Sequence, residues 1–142
     1  MIDSAEPNTG HFSELELELI ERREAALPVV IQMMTDERIS ARIHAEHVLA
    51  GIAKKGFGWS IEKGAADWRE DDFIKLWTRL GNYCAVSHSD DENDNQVKNR
   101  QDAQRLWRKY AELVRTRKCH VGDIPLADLP ADLEKVSGCE AI

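Results

Sequence analysis

A chain of 142 residues with 42% hydrophobic and 32% charged side chains has the balance of one folded domain, which excludes a disordered acidic segment. No run approaches the ~18 apolar residues of a membrane span, and the acidic start lacks the basic and apolar regions of a signal peptide, so a cytoplasmic protein with no membrane partner is expected. A net charge of −7 disfavours a dedicated nucleic-acid binder as a whole.

The charge is unevenly spread. Residues 1–35 hold seven acids against Arg22 and Arg23, and residues 70–94 hold seven against Lys75 and Arg79. Residues 95–118 reverse the sign, with eight bases against Asp102 and Glu112 for a net of +6. One basic segment therefore keeps nucleic acid open as a partner. Cys84, Cys119 and Cys139 are odd in number and widely spaced, with neither a disulfide framework nor zinc-knuckle spacing, which agrees with a reducing compartment.

Residues 1–11, with Pro7 and Gly10, have no periodicity and are expected to fray. Ser13 and Glu16 then form an S-x-x-E capping box, with Phe12 placed to staple onto Leu17. The E-L-E-L-E-L run alternates like a strand, but Glu and Leu are helix formers and the cap outweighs the alternation. Pro28 should kink or end this helix, leaving Val29–Met34 as a short continuation.

The central element is a helix over about 36–55, capped by Thr35 or Asp36 and ended by Gly56 and Gly58. Ile39, Ile43, Ala50 and His47 share one side, while Ala41, Ala45, Val48 and Ile52 fall roughly opposite. A helix apolar on both sides is packed by neighbours on both. Phe57 and Trp59 should fold back from the turn that follows, and Ser60 is expected to open a short helix over Ile61–Trp68.

Over Asp72–Cys84, Phe73, Leu76, Trp77, Leu80, Tyr83 and Cys84 recur at helical spacing, with Glu70 and Asp71 the right sign for the N-terminus. Residues 87–95 read as an acidic loop, and Gln96–Lys118 as a long helix lined by Ala103, Leu106, Trp107, Tyr110, Leu113 and Val114. Residues 122–142 carry a weak apolar pattern and read as a loosely structured tail. No segment reads as a strand, so an all-α, compact single-domain bundle of four to five principal helices is expected.

Three kinds of site follow. The leading expectation is a small non-enzymatic protein that binds another protein, as a regulator, adaptor or inhibitor, without a cofactor. Four tryptophans are many for so small a bundle, and Trp59 and Trp68 lie outside the cleanest apolar stripes, beside the acidic Glu70 and Asp71. These four residues are the expected contact surface, and a homo-oligomer fits the same charge contrast. The alternative is a nucleic-acid-binding module in which Lys98, Arg105, Arg108, Lys109 and Arg115 form a solvent-facing ridge. Against it, Trp107 and Tyr110 lie on the apolar side, where no base could stack on them.

The third is a metal site. His44 and His47, three apart, point within about 60° of each other on a helix and can reach one ion. Glu18 and Glu21 offer a pair at the same spacing on a helix that could lie alongside, but no E-x-x-H or H-E-x-x-H is present. Arg42 and Glu46, four apart on the central helix, read as a structural ion pair rather than a catalytic carboxylate. Cys119 at a helix C-terminus is in the wrong field for a nucleophile.

Overall fold

Ser13 and Glu16 open the first helix as their spacing predicts. The Ser13 hydroxyl accepts the Glu16 N–H at 3.2 Å and Glu16 Oε1 accepts the Ser13 N–H at 2.9 Å. The structure, a computed structural model, describes residues 13–60, 67–82 and 93–133. Five α-helices lie among these residues: α1 (Glu14–Arg22), α2 (Leu27–Met33), α3 (Ile39–Gly56), α4 (Glu70–Arg79) and α5 (Asp94–Arg117). A 3-10 turn over Arg23–Ala26 joins α1 to α2, and another spans Leu126–Asp128. Among the described residues no strand forms, and the fold is an all-α bundle.

Pro28 acts as its chemistry requires. It sits in the first turn of α2, where its missing N–H leaves no gap in the ladder, and α1 ends before it at Arg22, capped by Arg23, whose φ is 52°. The other end of α2 is closed by α5. Gln104 donates to the carbonyl of Ile31 at 2.8 Å and to the hydroxyl of Thr35 at 3.1 Å, and Arg100 reaches the carbonyl of Met34 at 3.4 Å. Carbonyls that the helix cannot satisfy itself are thereby paired in the interior.

Helix α3 is central, packing on α1, α2 and α4. Ala45, Val48, Leu49, Ile52 and Ala53 are almost fully buried, and removing side chains such as Leu49 or Ile52 from water contributes about 1.5–3 kcal/mol each. Its start differs from the expectation. Arg38 is the N-cap and no side chain caps it; the Asp36 carboxylate instead accepts the Arg38 N–H at 2.8 Å and its guanidinium at 3.0 Å. Those bonds hold the Asp36 carboxyl at about 2. Arg42 turns back to the carbonyls of Asp36 and Glu37, at 2.9 and 3.1 Å. That gives its buried guanidinium partners beyond the expected Glu46.

An aromatic file joins α3, α4 and α5. Phe57 meets Phe73 at 6.4 Å between ring centres, Phe73 stacks on Trp77 at 5.3 Å, Trp77 meets Trp107 at 6.2 Å, and Trp107 meets Tyr110 at 5.7 Å. Helix α4 begins two residues earlier than the apolar stripe and ends at Arg79, where Gly81 takes φ +80°. The Asn93–Gln96 capping box starts α5, so residues 94 and 95 of the expected acidic loop are already helical. The fraying expected at 1–11, most of that loop and the start of the short helix after Ser60 lie outside the described residues.

Of the segment expected as a loosely structured tail, residues 122–133 are described. Val121, Ile124, Leu129 and Leu133 are buried in the same core as the helices. Arg79 fastens the segment, donating to the carbonyls of Leu133 (2.9 Å), Leu126 (3.1 Å) and Pro130 (3.3 Å). Burial of four apolar side chains plus one guanidinium on three carbonyls holds a segment that has no regular ladder of its own.

Candidate metal centre and a charged cleft

Two helices bring Glu16, His44 and His47 together. Glu16 lies on the inward stripe of α1, four residues before the buried Ile20. His44 and His47 lie one turn apart on α3, the helix against which α1 packs. Both imidazoles converge on a single oxygen: Glu16 Oε2 is 2.6 Å from His44 Nδ1 and 3.0 Å from His47 Nδ1. The other oxygen, Oε1, is occupied by the capping box. The two rings stand at 86° to each other, with their centres 6.4 Å apart.

The side chains of Glu16 and His47 are 2% and 5% exposed, whereas that of His44 is 32% exposed and keeps one side of the cluster open. Burial pushes the Glu16 carboxyl upward, but hydrogen bonds from His44, the Ser13 backbone and His47 outweigh it and hold the carboxyl below its ordinary value. Glu16 is therefore an anion in a dry place. His47 Nε2 is buried with no hydrogen-bond partner. Three atoms with metal-ligating chemistry, one carboxylate oxygen and two imidazole nitrogens, lie within 4.8 Å of one another.

The spacing of His44 and His47 indicated this place, but the acids expected to join them are elsewhere. Glu21 pairs with Lys55 at 3.0 Å and Glu18 with Arg22 at 3.6 Å, both toward solvent. In the sequence Glu16 shows only its capping role. Its register with Ile20 was the signal that it also faces inward.

The second feature is a cleft of about 420 Å³ between α2 and the C-terminal half of α5. Leu27, Pro28, Ile31, Ala111 and Val114 give it apolar walls, and Arg108, Arg115, Lys118, Glu24 and Glu112 stand around them. The two acids are already engaged. Glu24 accepts from the Val121 N–H at 2.8 Å and faces His120 Nδ1 at 2.8 Å, while Glu112 pairs with Arg115. Among the described residues, neither Arg108 nor Lys118 has a carboxylate partner; Arg108 meets only the Gln32 carboxamide, at 3.4 Å. Cys119 also lines the cleft, and burial, with Asp123 beside it, pushes its thiol up, away from nucleophilic duty.

All five ridge residues are exposed, as the helical projection predicts. Acids are interleaved with them: Asp102 lies 3.2 Å from Lys98 and 3.8 Å from Arg105, and Asp132 lies 3.0 Å from Lys109. Arg100, counted among the bases of this segment, is buried and faces away from the ridge. Trp68 is half-buried with its ring 5.7 Å from Phe73, Trp59 is half-buried after the turn that ends α3, and Glu70 and Asp71 are exposed in the first turn of α4. No family model, curated protein or solved structure matches the chain significantly.

Proposed function

We infer that the protein acts by binding another protein, and that the α2–α5 cleft takes an acidic, amphipathic segment of that partner. The observation that supports this reading is the pairing of apolar walls with two cations, Arg108 and Lys118, that have no carboxylate partner among the described residues. Apolar side chains of a helix or turn would fill the walls, and its carboxylates would meet the cations at the edge. The half-buried Trp59 and Trp68, with Glu70 and Asp71, offer a second contact surface of opposite charge. A regulatory, adaptor or inhibitor role suits such a module.

The test is affinity capture followed by mapping of the contact with variants. Ala111→Trp fills the cleft and Lys118→Glu reverses its edge, whereas Trp59→Ala and Trp68→Ala probe the other surface. A partner lost with both cleft variants and kept with both tryptophan variants supports the reading; the reverse pattern moves the contact to α4. Binding of labelled DNA or RNA that falls steeply with salt and needs Arg105 and Lys109 would replace both with the nucleic-acid reading.

A further inference from the structure

We propose that Glu16, His44 and His47 form a three-ligand site for a divalent transition-metal ion of the zinc or ferrous class, clamping α1 to α3 and leaving at least one coordination position open toward solvent.

The convergence of three ligand-type atoms allows more than a hydrogen-bonded contact between helices. A metal with bonds of about 2.0–2.2 Å to nitrogen and oxygen needs its ligand atoms roughly 3 Å apart, approaching from different directions. The two imidazole nitrogens lie 2.6 and 3.0 Å from the one carboxylate oxygen, all three atoms fall within 4.8 Å of one another, and the ring planes stand at 86°. A latch between helices needs one imidazole on the carboxylate; here two converge on the same oxygen. Two imidazoles and one carboxylate, without thiolate, select borderline divalent ions over soft monovalent ones and over calcium or magnesium, which favour all-oxygen shells.

The charge balance points the same way. The Glu16 carboxylate at the centre of the cluster is 2% exposed. A dication offsets that charge with bonds directed at it. Binding at Nδ1 shifts each ring proton to Nε2, so no proton need be released. For His47 this places an N–H where the hydrogen-bonded state leaves a bare lone pair, and that atom is unmatched in either state. The unmatched nitrogen therefore does not favour the metal-free form. The one-third exposure of His44 gives the ion a way in and the open position a way to water.

The test uses the full chain, stripped with chelator and dialysed. It is titrated with Co2+ in the visible range, then with Zn2+ in competition with a coloured chelator. The expected result is one equivalent bound, with the absorption of a four- or five-coordinate ion. His44→Ala, at a partly exposed position, should weaken binding by more than the roughly 100-fold that loss of a mere supporting partner costs. Glu16→Gln keeps a capping residue and removes the anionic ligand, and should weaken binding similarly. A second readout does not depend on the variants. Co2+ should shift the imidazole proton resonances of His44 and His47 before those of His120, which pairs with Glu24 instead. Absence of stoichiometric binding, equal binding by His44→Ala, or a first response at His120 would each overturn the proposal.

Discussion

The indole N–H of Trp107 donates to the carboxamide oxygen of Asn82 at 2.8 Å, and both side chains are buried. Trp107 is the fourth of the five rings in the aromatic file, so a single polar bond ties the chain three residues past α4 to the heart of α5. Asn82→Ala removes the acceptor and leaves a buried N–H unmatched, at a cost of about 1–3 kcal/mol. Urea unfolding followed by tryptophan fluorescence measures it. A change within a few tenths of a kcal/mol would mean that the indole finds another acceptor.

Gly56 ends α3 against backbone, not side chain. A Cβ placed there would lie 1.8 Å from the Val121 carbonyl oxygen, and Gly122, at φ +95°, packs back on the same turn. Gly56→Ala must push the Val121–Gly122 turn away, and should cost about 3 kcal/mol. Gly51→Ala meets the flexible end of Ile20 instead, at 2.3 Å. It should cost less, because a side-chain tip can rotate where a carbonyl cannot. Thermal melts of the two variants side by side decide the order.

Glu24 links the turn between α1 and α2 to the turn after α5. Burial raises its carboxyl, but bonds from the Val121 N–H and His120 prevail and hold it below the ordinary carboxylate value. A depressed folded value means the contribution is complete above the ordinary carboxyl range and disappears as pH falls through the folded one. Glu24→Gln should therefore lose about 2 kcal/mol at neutral pH and lose less stability on acidification than the wild type. Denaturant midpoints from pH 7 to pH 3 would show the two curves converging; parallel curves would exclude this role.

Tyr110 titrates in the opposite sense. Burial pushes its hydroxyl up to about 12, opposed by the Gly122 N–H, which donates to the phenolic oxygen at 3.0 Å. The raised value means that stability is complete below ~10, where an unfolded tyrosine ionises, and falls as pH rises toward the folded value. Absorbance at alkaline pH should resolve one late tyrosine, missing in Tyr110→Phe. A transition near 10 for every tyrosine would contradict the burial.

Local physics made much of the fold legible. The Ser13–Glu16 box, Pro28 and the spacing of Phe73, Leu76 and Trp77 each act within one or two turns of chain, so their consequences can be read from neighbours in sequence. What escaped depends on distant partners. Glu16 meets histidines 28 and 31 residues away, and its capping duty concealed the second oxygen. Ile124, Leu129 and Leu133 lie in a segment with no α-helix or strand, so their burial left only a weak apolar pattern. Asp102 and Asp132 answer the basic ridge from different parts of the chain, and only the first is visible on a helical projection.

Arg79 has a consequence for the order of events during synthesis. Its three carbonyl acceptors lie 47 to 54 residues further along the chain. The donor thus leaves the ribosome well before its guests, and α4 can dock on α3 while those acceptors are still being made. Chains emerge from the ribosome N-terminus first. The segment over residues 124–133, which cannot form a ladder by itself, would then settle last onto a receptor already in place, and a chain stopped before residue 126 would present that receptor with nothing to hold.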